Sequence, residues 1–318
     1  MVAFNLKKTA IGKSHAKVIL MGEHAVVYGQ PAIALPLPNL TFTAQLTTRA
    51  TGQLILAPAY QGYLSDMAEN YEGLRQLITR LLDFFDANDI GFTLKITSLI
   101  PQERGMGSSA ASAIAITRAF YDFFDAKLTN EALQNWAAIE EGITHGSPSG
   151  IDAATVASQV PVWFIKHSHP EAMAFNFDGI LILADTGIHG QTGLAVSVVR
   201  NNLVNQPQSM QNHITDLGKL TLSAKDTLAD DNIELLGTLM DDAHSHLRAL
   251  GISHPKLELL VSAAKNAGAI GAKLTGGGIG GTMIALTDNQ KTAKKIIAAL
   301  ETAGAKEIWM QNYQQHQE

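Results

Sequence analysis

One stretch of this chain dictates much of what it can become. Residues 91–98 alternate apolar and polar side chains, pass into Pro101-Gln102-Glu103-Arg104-Gly105-Met106-Gly107-Ser108-Ser109-Ala110-Ala111, and continue as an alanine-rich run over 109–124. The alternation predicts a strand and the run a helix, so the order is strand, glycine loop, helix. Gly105 and Gly107 let the backbone approach a ligand with no side chain in the way. The first N–H groups of a helix lack partners within it and carry the positive end of its dipole, equivalent to about half a charge. Such a loop suits an anion, and a nucleoside triphosphate fits that description. No Gly-Lys-Ser/Thr follows at the spacing of a Walker loop, which sets the chain apart from P-loop NTPases.

Two further glycine-bearing segments lie far from this loop in sequence: Lys17-Val18-Ile19-Leu20-Met21-Gly22-Glu23-His24, and Lys273-Leu274-Thr275-Gly276-Gly277-Gly278-Ile279-Gly280-Gly281. A length of 318 residues predicts two domains at about 150 residues each. The polar, irregular segment 167–178, with Pro170, is the expected link, giving an N-terminal domain over 1–175 and a C-terminal one over 176–318. With 23 Lys and Arg against 29 Asp and Glu, the formal charge is −6. There is no global basic field to recruit nucleic acid or an anionic membrane, so local groups must hold any anionic substrate. The absence of cysteine excludes disulfides, thiolate catalysis and cysteine zinc sites. No apolar run reaches the roughly 18 positions of a membrane span, and residues 1–19 lack a secretory pattern, so a cytoplasmic location is expected.

The remaining periodicities predict an α+β chain. Early strands are expected at 17–21, 32–37 and 41–47, then a helix on which Tyr71, Leu74, Leu77, Ile78, Leu81, Leu82 and Phe85 share a face. A helix at 130–143 ends in a loop at 146–150, with strands at 159–165 and 180–184 beyond it. Helices follow at 192–203, 212–228, 232–250 and 255–266. Strands at 272–274 and 282–286 then flank the last glycine segment, and a helix at 290–303 and a strand at 307–310 finish the chain.

In order, the three segments resemble the motifs of the GHMP family of small-molecule kinases, named for galactokinase, homoserine kinase, mevalonate kinase and phosphomevalonate kinase. The resemblance covers the whole chain. Its mevalonate-phosphorylating branch is the most similar, because the first motif continues as Gly22-Glu23-His24-Ala25-Val26-Val27-Tyr28-Gly29. Glu141-Gly142-Ile143-Thr144-His145-Gly146-Ser147-Pro148-Ser149-Gly150-Ile151-Asp152 resembles the stretch that ends in that branch's catalytic aspartate. The resemblance implies a two-domain α+β fold: an N-terminal domain like the second domain of ribosomal protein S5, a ferredoxin-like C-terminal α/β sandwich, and an active site in the cleft between them. It implies ATP and (R)-mevalonate as substrates, Mg²⁺ as cofactor, transfer to the C5 hydroxyl, and a homodimer as the family's usual assembly.

The same resemblance assigns roles. Asp152 becomes the carboxylate that accepts the hydroxyl proton, although alone it fits a helix-initiating Asp after Gly150. Lys17 becomes its catalytic partner, where a lone lysine reads as solvent-exposed at a strand end. Glu23, His24 and Thr192 are carried over to substrate binding; Thr192 equally fits a helix N-cap, and Gly193 stands where the family usually has lysine. Ser109 and Glu141 become magnesium ligands, with Ser108 a near alternative, and Ser109 also fits an N-cap while Glu141 fits a solvated helix-end acid. Pro101, Gly105, Met106, Gly107, Ser108, Ser109 and Ala110 would surround the triphosphate, with Gly276, Gly277 and Gly278 beside the phosphates. A glycine run alone fits a tight turn between strands, and Ile279 interrupts this one. His244 and His246, two apart, face different sides of a helix, which argues against a shared metal and places them at the surface or a pocket edge. The rivals are a family kinase acting on phosphomevalonate, homoserine or a sugar, and a catalytically silent binding protein on the same fold.

Overall fold

The computed structural model describes residues 6–100, 105–145 and 151–313. Pro101 and the expected loop at 146–150 lie outside the described residues, as does the side chain of Glu141. In chain order the first half holds β1 (Thr9–Met21), β2 (Ala32–Thr48), β3 (Gln53–Ala57), β4 (Tyr60–Tyr63), α1 (Glu72–Phe84), β5 (Phe92–Ser98), α2 (Ser108–Phe123), α3 (Asn130–His145) and α4 (Ile151–Ala157). There follow β6 (Val162–Phe164), β7 (Glu171–Ala172), β8 (Ile180–Asp185), α5 (Thr192–Asn205), α6 (Pro207–Ala229), α7 (Ile233–Ala249) and α8 (Pro255–Asn266). The chain closes with β9 (Gly271–Thr275), β10 (Thr282–Thr287), α9 (Gln290–Thr302) and β11 (Glu307–Asn312). These form two compact units that interleave in sequence. The first takes Met1–Lys17, Pro36–Gln102 and Gly107–Gln159; the second takes Val18–Leu35, Glu103–Met106 and Val160–Glu318. No single point in the chain divides them, because β1 and β2 each run through both.

In the first unit the strands lie in the order β4-β3-β5-β2, with β3 parallel to β5 and β2 antiparallel to it from Phe42 opposite Ser98 to Thr48 opposite Phe92. Alternate residues of β2 there, Phe42, Ala44 and Leu46, are buried. Helix α2 is buried nearly all round, with Ala110, Ala111, Ile114, Ile116, Phe120 and Phe123 among its inward residues, and α1, α3 and α4 pack on it. β1 lies close on α2. A Cβ at Gly12 would fall 1.9 Å from the Ala115 carbonyl oxygen, and the Ser14 hydroxyl donates to the Ala111 carbonyl at 2.6 Å. Pairing with β2, together with this contact, holds Thr9–Ala16 as a strand although Gly12, Lys13 and Ser14 are poor strand formers. The two strands expected at 32–37 and 41–47 are one. Its ladder to β6 covers Ala32 to Ala34 and its ladder to β5 covers Phe42 to Thr48, so Pro36 and Pro38 sit between the two registers, where a missing N–H breaks neither ladder.

In the second unit the start of β2 pairs with β6, and β6 with β7. A separate antiparallel sheet has the order β11-β8-β10-β9, with Thr282 opposite both Asp185 and Thr275. Every residue of β8, β9 and β10 is buried. Helices α8 and α9 pack on this sheet, and α7 runs against its edge strand β9. Backbone groups of that edge are taken by α7 side chains one turn apart: the Ala272 N–H donates to Asp241 Oδ1 at 2.8 Å and the Leu274 N–H to His244 Nδ1 at 3.3 Å. Among the described residues, no helix is long and apolar enough to cross a membrane.

Candidate active site

Within the first unit a lysine, a carboxylate and a helix N-terminus come together. Lys17 on β1 is 3% exposed, and its ammonium lies 2.8 Å from Asp152 Oδ1 in the first turn of α4. The Asp152 side chain is 32% exposed, so the carboxylate is reachable by a ligand while the lysine stem is fixed by packing. Gly107 makes that packing possible. It is the N-cap of α2 with φ +74°, and a Cβ there would meet Lys17 Cγ at 2.9 Å and Val156 Cγ1 at 3.3 Å. Glycine is thus required both by the left-handed backbone and by the space. The Ala111 N–H donates to the Gly107 carbonyl at 2.8 Å and starts the helix. No side chain caps this end and no acidic residue sits in its first turn. Its leading N–H groups and dipole therefore stay suited to an anion. Ser108 and Ser109, both half-buried, occupy that first turn; the cap that the sequence allowed for Ser109 is filled by Gly107. Ala110 is buried behind them.

The second unit, taken by itself, holds a turn, a buried ion pair and the long glycine loop. β1 ends at Met21, and the turn after it has positive φ at Gly22, +94°, and at His24, +57°. The buried His24 donates through Nε2 to the Gly277 carbonyl at 2.8 Å, which fixes its tautomer because a carbonyl only accepts. Burial pushes the imidazole below its ordinary value of 6.5, with the Gly277 bond acting in the opposite direction. Glu23 is 1% exposed and forms an ion pair with Lys273, which is fully buried on β9 and also donates to the Leu274 carbonyl at 2.8 Å. Burial pulls the Lys273 ammonium below its ordinary value, opposed by Glu23. Two residues on, the Thr275 hydroxyl donates to the Ile19 carbonyl at 2.7 Å.

Beyond β9 the glycine loop has φ of +75° at Gly276, +76° at Gly278, +118° at Gly280 and +75° at Gly281. Ile279 also sits at +55°, a strained setting for a β-branched residue, held by its N–H donating to the Ile252 carbonyl at 2.7 Å. Gly277 lies against Thr192, with a Cβ there falling 2.6 Å from Thr192 Oγ1. Thr192 is the exposed first residue of α5 and Gln191 is the N-cap, so Thr192 does not cap the helix. A side chain at Gly193 would meet nothing within 4 Å. Gly105 approaches the same loop, a Cβ there falling 3.9 Å from Gly276 Cα, and Met106 next to it is buried.

Two residues are placed differently from their sequence reading. Lys273 looked like the first residue of a glycine motif, yet its ammonium is interior; the available signal was a cation between buried-strand residues Ala272 and Leu274. His244 is buried, not at a surface or pocket edge. Its Nε2 lies 3.2 Å from Glu258 Oε1, and burial pushes the imidazole below its ordinary value while Glu258 raises it. His246 pairs with His213 at 2.8 Å between Nδ1 atoms, away from His244. Among the described residues no three or more His, Asp or Glu side chains group as a metal site.

Comparison with known proteins gives these geometries a context. Residues 74–159 match the family model described as the GHMP kinases N terminal domain, and residues 224–306 match that for the GHMP kinases C terminal. The chain is 34% identical over 315 residues to a mevalonate kinase of Pyrococcus furiosus, covering 92% of this chain and 93% of that one. Among solved structures, L. major mevalonate kinase in complex with R-mevalonate superposes with a TM-score of 0.87 at 26% identity, over 98% of this chain and 100% of that one. Mevalonate kinase from methicillin-resistant Staphylococcus aureus matches with a TM-score of 0.76 at 35% identity, over 96% and 99% of the two chains.

Proposed function

The chain belongs to the GHMP kinases and, within them, to the mevalonate kinases, and we propose that it moves the γ-phosphoryl group of ATP to the C5 hydroxyl of (R)-mevalonate with Lys17 and Asp152 at the reacting oxygen. The observation that carries this assignment is the Lys17–Asp152 pair, 2.8 Å apart, with Gly107 seated on the lysine stem. One helix start, one cation and one carboxylate thereby belong to a single packed unit.

In the reaction the C5 oxygen bonds to the γ-phosphorus as the bond from that phosphorus to the β,γ-bridging oxygen breaks, and ADP departs. The hydroxyl proton passes to Asp152. Phosphoryl transfer of this kind is largely dissociative, so positioning and charge compensation matter more than full deprotonation. Lys17 compensates charge on the attacking oxygen. The N–H groups at the start of α2 bind phosphate oxygens, and the family resemblance assigns Gly105, Met106, Gly276, Gly277 and Gly278 to the phosphates as well. Pro101 belongs to the same loop in sequence. The family resemblance assigns Thr192, seated on Gly277, and the turn of Glu23 and His24 to the acceptor.

Mg²⁺ takes a few hard oxygen ligands and keeps waters and phosphates for the rest. The half-buried hydroxyl of Ser109 in the first turn of α2 is such a donor, and Ser109 with Glu141 would hold the ion. When bound, it neutralises triphosphate charge and orients the chain of phosphates.

The test is ADP release with (R)-mevalonate, phosphomevalonate, homoserine and galactose compared in parallel, with the product weighed by mass spectrometry. Turnover confined to mevalonate and dependent on Mg²⁺ is expected. Turnover on another acceptor would overturn the substrate, and nucleotide binding without transfer to any of the four would overturn the activity.

A further inference from the structure

The buried ion pair between Glu23 and Lys273 does no chemistry in the reaction above, yet it sits at the centre of a repeating set of contacts. Along β9 and into the loop, alternate residues reach the segment that ends β1: Lys273 to Glu23, the Thr275 hydroxyl to the Ile19 carbonyl at 2.7 Å, and His24 Nε2 to the Gly277 carbonyl at 2.8 Å. Lys273 and Thr275, two apart on β9, point the same way, and the backbone carbonyl of Gly277, beyond the end of the strand, adds the third contact of the seam. Its far end is the loop whose Gly276 approaches Gly105, which precedes Gly107, the cap of α2, by two positions in the chain. Lys273 itself is 0% exposed and shares its protons with the Leu274 carbonyl.

Stability alone is a poor reason for such a pair, because two buried charges lose more hydration than they regain in attraction unless their geometry is excellent, and apolar replacements of similar volume are often neutral or stabilising. We propose that Lys273 is a positioning residue for nucleotide: through Glu23 it fixes the turn that carries His24, and His24 fixes the carbonyl of Gly277 and with it the glycine loop. The proposal rests on the assignment of that loop to ATP phosphates. Neither Lys273 nor Glu23 touches the reacting atoms in this role.

The experiment is calorimetric titration of Mg²⁺ and a non-hydrolysable ATP analogue into the full chain, for wild type, Lys273→Met and the double variant Lys273→Met/Glu23→Leu, with the thermal midpoint of each recorded. Lys273→Met is expected to weaken nucleotide binding by about ten- to a hundredfold, the scale on which partners that orient a ligating group act. The double variant removes both charges and is expected to recover the thermal midpoint but not the nucleotide affinity. A structural role alone would restore both together, and that result overturns the proposal. Wild-type affinity in Lys273→Met overturns it as well. If the single variant does not fold, the double variant decides by the same criterion. The titration contains no acceptor, so a wild type that binds the analogue but transfers nothing to mevalonate sinks the substrate assignment and leaves this proposal standing; a wild type that binds no nucleotide sinks both.

Discussion

Lys17 and Asp152 meet at 2.8 Å, the lysine buried and the carboxylate about one third exposed, at 32%. The asymmetry matters. A cation whose buried stem lies against Gly107 cannot follow a mobile partner, so the lysine sets where the carboxylate sits and not the reverse. Replacing Lys17 with Met keeps the stem and deletes the charge. The expected result is a fall in kcat of about 10²–10³, the scale for removing one transition-state charge contact. Steady-state kinetics with mevalonate at saturating ATP reads it, and a change below threefold would remove Lys17 from the chemistry.

Gly107→Ala forces a side chain into the left-handed region and onto Lys17 Cγ, 2.9 Å from the new Cβ. The backbone alone costs about 1–2 kcal/mol. Urea unfolding is expected to show at least that loss, and the KM for ATP is expected to rise because α2 can no longer start where it does. An unchanged midpoint would mean that the loop has another conformation.

Gly237 lets α7 run against the edge of the second sheet, since a Cβ there would lie 2.5 Å from Ile270 Cγ2 and 2.8 Å from the Ile270 carbonyl oxygen. Alanine is the better helix former, so propensity predicts stabilisation by roughly 1 kcal/mol. Overpacking predicts the opposite, about 1–3 kcal/mol of destabilisation, and here it wins because backbone atoms cannot turn aside. A raised thermal midpoint for Gly237→Ala would show that α7 does not approach β9 this closely.

Stability should fall on mild acidification. Burial holds His24, His244 and His246 below the ordinary 6.5 in the folded chain. As pH drops through 6.5 the unfolded chain gains protons at these sites before the folded chain does, so unfolding is favoured, by up to about 1.4 kcal/mol per pH unit for each of the buried His24 and His244 and by less for the part-exposed His246, where solvent screens the effect. Above pH 7 these groups contribute no slope. Urea midpoints between pH 5 and 8 check the sign, and His244→Asn should flatten the acid limb even if it lowers stability throughout. A midpoint independent of pH from 5 to 7 would contradict the burial of these rings.

How much of this was legible in the sequence depended on whether a residue's role is local. The amphipathic spacing of Leu74, Leu77, Ile78 and Leu81 marked α1, and Pro255 with its following apolar spacing marked α8 to the residue. Gly105, Gly107 and the serines after them marked the start of α2 for the same reason, because turn and helix start lie within a few residues. β3 and β4 were not foreseen. They hold five and four residues: Leu54-Ile55-Leu56-Ala57 is an apolar run too short and unalternating to tell strand from helix, and β4, with Tyr60, Gln61 and Tyr63 half-buried or exposed, has no apolar run at all; pairing of β3 with β5 and of β4 with β3 supplies the order. Lys273 is the sharpest case. Its partner Glu23 is 250 positions away, and nothing near a lysine in a strand tells whether its ammonium goes to solvent or to a carboxylate. Resemblance to a family located Lys17 and Asp152; only the fold brings Glu23 to Lys273 and His24 to Gly277.

The most direct test of the catalytic assignment is single-turnover transfer from γ-labelled ATP to (R)-mevalonate by wild type and by Asp152→Asn, with enzyme in excess and ATP affinity measured beside it. Asp152→Asn is expected to bind ATP normally and to form labelled 5-phosphomevalonate about 10²–10⁴ times more slowly, the usual cost of losing a general base. Equal rates of transfer by the two proteins would contradict the assignment of Asp152, and with it the chemistry built on its contact with Lys17.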